Sequence, residues 1–427
     1  MSHMKRMTNC PHWQRMPWLP TFTLLFILLL AVPLTGFKTQ SAHAATTQWI
    51  GSWGASPVAG LPVIGLSTAT FRNVVHTSVA GSTVRVQFSN AFGTQPLLIG
   101  QATVALPATK GSAAALAGTM KTLTFASSHS ITIPAGQQAY SDPLAFSVPA
   151  NSDLLISVYT PHASGLVTSH VSAIQRSFYS TGANHATDLA ATAFTNRTGN
   201  WSYVTGIEVQ SSQLQGTLVA LGDSITNGAH STGGANHRWP NYLADRLLQL
   251  PVNLQYGVLD EGISGNHILT DANNPTTGQY SGVSALHRLN RDVFGHGDVK
   301  VLILLEGIND IKNGATSDSI IAGMKQIANQ AHQQGIRVLA GTLTPFAGSS
   351  GYTPQKETSR QNVNAFLRGN SGGNGLSLFD DVIDFDAAVR DPNHPLQFLP
   401  IYDSGDHLHP NDQGYQAMGN TMKLAQL

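Results

Sequence analysis

Near Gly216 the hydrophobic pattern of this chain changes period, and that change constrains the fold more than any other feature. Downstream lie four compact apolar runs: Thr217 to Leu221, Val252 to Val258, Val299 to Leu305 and Arg337 to Leu343. A fifth spans Leu376 to Ile383. Helical stretches separate them. In Ser317 to Gln334 the apolar residues Ile320, Ile321, Met324, Ile327, Ala328 and Ala331 fall on one helical face. Ser317 stands at the N-cap position and Gly335 at C′. Strands alternating with helices predict a parallel sheet covered on both faces. Upstream, from Trp49 to about Gln215, the period is two. Ser82 to Ser89 places Val84, Val86 and Phe88 on one side and Thr83, Arg85 and Gln87 on the other. Leu97 to Leu106, Ile131 to Ile133, Leu154 to Tyr159, Ser177 to Tyr179 and Ile207 to Val209 read as further short strands between turns. That half is predicted to be an all-β sandwich, with no internal repeat.

The first 44 residues belong to neither half. They carry Lys5, Arg6, Arg15 and Lys38 but no acid, then the apolar run Leu24 to Val32, then Ala42-His43-Ala44. A basic start, an apolar centre and a small-x-small end are the parts of a secretory signal peptide, with cleavage expected after Ala44. An uncleaved anchor is the alternative, but the unbroken run falls short of the ~20 residues needed to span a bilayer. Cys10 is the only cysteine and precedes the apolar run, so cleavage leaves no thiol, no disulfide and no lipid-anchored cysteine. The expected organisation is a signal peptide at 1–44, a β-rich domain at 45–215 and an α/β domain at 216–427. An exported product with no stable membrane insertion follows. The balance of 23 basic against 23 acidic residues gives no phosphate-seeking surface, which argues against nucleic acid as a partner. A hydrophobic share of 41% excludes a disordered chain. Nothing in the sequence sets an oligomeric state.

In an open α/β sheet, ligands bind beyond the carboxyl ends of the strands. Gly222-Asp223-Ser224-Ile225-Thr226 follows the first run and presents a serine on a strand-to-helix turn. Glu261-Gly262-Ile263-Ser264-Gly265-Asn266 follows the second, with glycines that permit close approach and a free N–H. Glu306-Gly307-Ile308-Asn309-Asp310 follows the third, where an Asn amide can face developing negative charge. Taken singly, each reads equally well as a turn or cap. Near the end stands Asp406-His407-Leu408-His409-Pro410-Asn411. An Asp three residues before a His can bind the imidazole Nδ1–H and leave Nε2 as a base. Asp403, Asp406, His407 and His409 could instead hold a metal. Against this, His407 and His409 would point apart on an extended segment, and no third ligand follows at a standard spacing. No metal or cofactor is expected. Together these blocks supply a nucleophile, oxyanion donors and an Asp/His pair, the parts of a serine acyl hydrolase.

Four blocks in this order resemble the SGNH, or GDSL, hydrolase superfamily: Gly222-Asp223-Ser224, Ile263-Ser264-Gly265-Asn266, Gly307-Ile308-Asn309-Asp310 and Asp406-His407-Leu408-His409-Pro410. Leu221 to Asn227, Arg238-Trp239-Pro240, Leu305 to Ile311, Thr342 to Phe346 and Tyr402 to Asn411 are similar to the arylesterase/acylhydrolase subfamily of xylan-degrading bacteria. The resemblance implies a flavodoxin-like five-stranded parallel sheet, with Ser224 as nucleophile, His409 as base and Asp406 as its orienting acid. Ser224, Gly265 and Asn309 would form the oxyanion hole. One departure is Asp260, which stands where the second block usually begins with Asn. Trp239 and Phe346 are assigned to the substrate pocket, with Tyr352 a further candidate and packing the alternative for each. Trp49, Trp53, Phe92, Trp201 and Tyr203 form either a carbohydrate platform or core of the β half. The expected activity is hydrolysis of short acyl esters, including O-acetylated saccharides. A lipolytic acylhydrolase or lysophospholipase is the alternative, and a glycan-binding protein with an inactive hydrolase half lies further off.

Overall fold

The computed structural model describes residues 47–427 except 65, 275–278 and 371–377. The expected signal segment and the start of the fifth apolar run lie outside the described residues. The described residues form one compact unit.

Five parallel strands form the sheet of the α/β half: Gly216–Gly222, Tyr256–Gly262, Val299–Leu305, Arg337–Gly341 and Asp381–Ile383. Numbered along the chain, their spatial order is 2-1-3-4-5, the flavodoxin-like arrangement with its switch point between the first and third strands. These runs are apolar at consecutive positions because both faces are covered. Leu218 to Leu221 and Val301 to Leu305 are all buried, packed with Ile320, Met324 and Ile327 of the helix Ser317–Gln333. Each such side chain contributes roughly 1.5–3 kcal/mol when fully removed from water.

Two boundaries differ from the sequence expectation. The second strand starts at Tyr256 rather than Val252, because Val252–Leu254 forms a single 3₁₀ turn after Pro251. Val252 and Leu254 are exposed, so that part of the run is apolar without being core. The long helix is capped by Thr316, whose hydroxyl accepts from the Ser319 N–H, and Ser317 is its first residue. Gly335 does adopt the left-handed conformation, at φ +73°.

The β half contains two larger antiparallel sheets. One has the strands Gln48–Gly54, Val204–Ser211, Gly81–Ser89 and Leu144–Val148 in that order, and Gln138–Tyr140 also pairs with Gly81–Ser89. The other runs Asn196–Thr198, Ser177–Thr181, Ala69–Thr77, Ser152–Thr160, Gln101–Ala105 and Lys121–Thr122. Val84, Val86 and Phe88 from the first share one core with Phe71, Val75, Leu154 and Ile156 from the second. This is the packing of a sandwich. The predicted strand from Leu97 to Leu106 is divided into Leu97–Ile99 and Gln101–Ala105 at Gly100. The Gly100 N–H there leaves the ladder for the Tyr159 carbonyl.

Of the aromatics considered for a carbohydrate platform, Trp53, Trp201 and Tyr203 are buried, and Trp53 meets Trp201 edge-on with centroids 4.9 Å apart. Trp49 and Phe92 are overlaid by the guanidinium groups of Arg85 and Arg291. Three of the five are core, and the other two are half-buried beneath cations.

Candidate active site

Ser224 is the first residue of the short helix Ser224–Asn227 that follows the first parallel strand. Its turn is set locally. The Asp223 carboxylate caps the helix by accepting the Ile225 N–H at 2.9 Å, and Gly228 closes it in the left-handed conformation. Gly222 is required by close approach, since a Cβ there would come within 2.5 Å of the Leu305 carbonyl oxygen on the neighbouring strand.

From the far end of the chain, His409 reaches this turn. Its Nε2 lies 2.7 Å from Ser224 Oγ and its Nδ1 lies 2.6 Å from Asp406 Oδ2. The other carboxylate oxygen of Asp406 accepts the Leu408 and His409 N–H groups and the Ser404 hydroxyl. Burial opposes ionisation of Asp406, but the hydrogen bonds from His409 and the two backbone N–H groups outweigh it and hold the carboxyl well below its ordinary range. An ionised Asp406 keeps the proton of neutral His409 on Nδ1 and leaves Nε2 as acceptor towards Ser224. Burial lowers the His409 pKa despite Asp406, and the neighbouring His230 and Lys312 charges lower it further. His407 goes elsewhere, to Asp403 at 2.5 Å; the segment is not extended, since His407 itself sits at φ +59°.

Gly265 and Asn309 converge on the same region. Gly265 sits at φ +79°, and neither its N–H nor that of Ser224 donates to another described residue. Asn309 opens the turn after the third strand, and its amide nitrogen donates to the Asn266 carbonyl at 3.0 Å. One Asn309 N–H is therefore spent on aiming the amide, and the second is left to donate.

Sequence reasoning missed the groups that hold these loops. Asp310 accepts the Ile268 and Leu269 N–H groups at 2.9 and 3.1 Å, tying the third block to the second. Arg288 is fully buried and donates to Asn266 Oδ1, the Glu261 and Gly222 carbonyls and Ser56 Oγ. Glu306 sits 3.6 Å from Arg288 with neither oxygen hydrogen-bonded, and burial beside Asp223 raises its pKa well above the usual range. Asn227 donates to Ser264 Oγ and the Ser172 carbonyl, and faces Nε2 of the buried His170 at 3.0 Å. Asp310, Glu306 and Asn227 lie within the blocks read from the sequence but are given no role there, and Arg288 and His170 lie outside every block. The only signal was charged or polar residues standing inside apolar stretches.

Trp239 and Phe346 are corrected outright. Both are fully buried in the α/β core, Trp239 against Phe385 and Phe346 against Tyr352. Neither side chain is exposed to a substrate. Asp260 lies beneath the second loop, where Oδ1 accepts the Gly262 N–H and Oδ2 faces Arg238 at 3.7 Å. Burial pushes its pKa up to about 7.

Residues 220–417 match the GDSL-like lipase/acylhydrolase family. That match lies entirely within the α/β half of the chain. Similar solved structures include a GDSL-like lipase from Bacteroides thetaiotaomicron VPI-5482, at 20% identity and TM-score 0.36, covering 49% of this chain and 87% of that one. A member of the lipolytic protein G-D-S-L family from Veillonella parvula DSM 2008 is 17% identical at TM-score 0.33, covering 48% and 94%. A catalytic mutant of an acetylxylan esterase from Geobacillus stearothermophilus is 17% identical at TM-score 0.35, covering 49% and 92%. No curated protein matches the chain's sequence. Among the described residues, no helix is long and apolar enough to cross a membrane.

Proposed function

We propose that the protein is an exported serine esterase that cleaves short acyl esters, O-acetylated saccharides among them, through an acyl-enzyme on Ser224. The observation that carries this reading is the unbroken hydrogen-bonded line from Ser224 through His409 to Asp406. It stands at the sheet's switch point, and the Ser224 and Gly265 N–H groups donate to no other described residue. His409 takes the Ser224 proton as the hydroxyl attacks the ester carbonyl, and returns it to the departing alcohol. Water then repeats the step on the acyl-enzyme. Asp406 fixes the tautomer and stabilises the imidazolium that forms. The Ser224 and Gly265 N–H groups and the Asn309 amide receive the tetrahedral oxyanion. No step in this cycle calls on a metal or cofactor.

Export is supported by the basic, apolar and small-residue order of residues 5–44. The preference for short acyl groups and saccharides rests on the similarity of the Arg238-Trp239-Pro240 and Thr342 to Phe346 segments to arylesterases. Ser224→Ala is expected to abolish turnover and labelling by a fluorophosphonate while the protein stays folded. Labelling that persists would overturn the nucleophile assignment. Rates on acetylated xylan, aryl acetates and long-chain lipid esters test the substrate class. Faster turnover of the lipid esters would replace the short-acyl reading with a lipolytic one.

A further inference from the structure

One imidazole beside the reacting groups has no part in that cycle. His230 stacks on His409 with ring centroids 5.1 Å apart and planes inclined by 23°. Its Nε2 lies 3.4 Å from Asp406 Oδ2, the same oxygen that His409 Nδ1 approaches to 2.6 Å. We propose that His230, Asp406 and His409 form a binding site for a divalent transition metal, zinc in the first instance, and that its occupancy switches the esterase off.

Geometry supports it. One ligand atom from each residue lies within 4.8 Å of the other two. Two imidazoles and one carboxylate are a zinc donor set, and bonds of about 2.0–2.2 Å in a tetrahedron set the ligand atoms roughly 3.3–3.5 Å apart. The separation of His230 from Asp406 already meets this. The bond between His409 and Asp406 has to open by just under ~1 Å to admit the ion.

The donors are also placed in advance, which reduces the ordering cost of binding. His230 itself is held at φ +67°, two residues after left-handed Gly228. The Ala229 carbonyl accepts from Tyr415, and the Thr232 N–H and His237 both bond to Asp412 on the C-terminal helix. Access is open, since the His230 side chain is half exposed and that of Asp406 about one third. Lys312, whose charge acts on both Asp406 and His409, opposes a dication. That favours a reversible inhibitory site over a tightly held resident ion.

Protons balance as follows. In the active state His409 carries its proton on Nδ1, beside Asp406. Coordination through His409 Nδ1 requires that proton to leave and Nε2 to gain one from solvent, so nothing is released overall. An Nε2 that bears a proton can no longer accept one from Ser224. Each imidazole that is protonated at lower pH must first release its proton, so the affinity falls as the pH is lowered.

The inhibition rests on the esterase reading, but the binding does not, and the experiment separates them. Zinc is titrated against full-length protein and against His230→Asn, a residue that tolerates the left-handed backbone. Hydrolysis of an aryl acetate gives the inhibition constant of each, and calorimetry on both in a Ser224→Ala background gives direct binding. The expected result is zinc inhibition of the wild type that a chelator reverses. His230→Asn should weaken both inhibition and binding by at least about tenfold. Equal zinc affinity in the two proteins overturns the site. Binding that weakens in His230→Asn without any esterase activity in the wild type keeps the site and overturns the functional reading.

Discussion

Replacing Asn309 by Ala gives the sharpest test of the oxyanion assignment. Its amide has two N–H donors, one already held by the Asn266 carbonyl at 3.0 Å. The substitution therefore removes two interactions of different size. Loss of a donor aimed at an oxyanion lowers turnover by about 10²–10³, or ~2.7–4 kcal/mol of transition-state stabilisation. Loss of the neutral bond to Asn266 affects the resting protein by about 1 kcal/mol. Alanine partly offsets that, because Asn309 lies in the helix Ile308–Lys312, where Ala has the higher propensity. Stability should therefore move little while kcat falls by two to three decades. The substrate carbonyl carries little charge before attack, so KM should stay near its wild-type value. Steady-state kinetics on an aryl acetate, with a melting curve on the same sample, measure all three. A fall in kcat of less than tenfold, or a rise in KM that accounts for the loss, would refute the role. So would a melting shift of several kcal/mol, since Asn309 would then be a structural residue.

Three further outcomes follow from the same geometry. Burial lowers the His409 pKa, so kcat/KM should fall with decreasing pH only below the ordinary imidazole range. His230 contributes to that lowering, so the limb should move to higher pH in His230→Asn, and a pH profile that does not move would remove the influence of His230. Asp260 titrates near 7 in the folded state because of its burial, against about 3.9 when unfolded. Between those values only the folded state holds this proton, so the group's contribution makes stability decline as pH rises through the window. Asp260→Asn should flatten the melting temperature against pH from about 5 to 7, and an unchanged slope would contradict the assignment. Asn227→Ala deletes the donors to Ser264 and the Ser172 carbonyl and should reduce kcat by about tenfold or more through misplacement of the second block. A lowered melting temperature with full kcat would make Asn227 purely structural.

What the sequence made legible follows from how local each cause is. The parallel strands could be read because a strand buried on both faces is apolar at consecutive positions, as in Val301 to Leu305. Val252 and Leu254 misled because the same apolar letters stand in a turn after Pro251, where exposure rather than composition is the difference. Asp406 and His409 are three residues apart, so their pairing is a local Asx turn open to inspection. Arg288 was not legible. Its partners Ser56, Gly222, Glu261 and Asn266 come from three separate segments, and no spacing along the chain encodes that meeting. Trp239 and Phe346 lie in segments that resemble the arylesterases, but such a resemblance does not say which way a side chain points, and both took the core.

The β half is where the two-domain reading changes most. A boundary near 211–216 is a boundary in pattern, but the packing runs across it without interruption. A Cβ on Gly257 of the second parallel strand would collide with the Gly51 carbonyl oxygen of the first β-half strand, so the two backbones touch. The Gly51 N–H donates to Thr217 Oγ1 and Ser78 Oγ accepts the Val258 N–H. Ser56 donates to the buried Glu261 carboxylate and accepts from Arg288, the cation that also holds Gly222 and Asn266. His170 and Ser172 reach Asn227, three residues beyond Ser224, and Asn227 holds Ser264 beside Gly265. Buried polar groups left without such partners cost about 1–3 kcal/mol each. An α/β half cut free at the boundary would therefore expose or orphan several of them at the loop that must stay rigid. Whatever else the β sandwich does, it is part of the scaffold that fixes the spacing between Ser224 and Gly265, and its polar contacts belong to the site as much as to the fold.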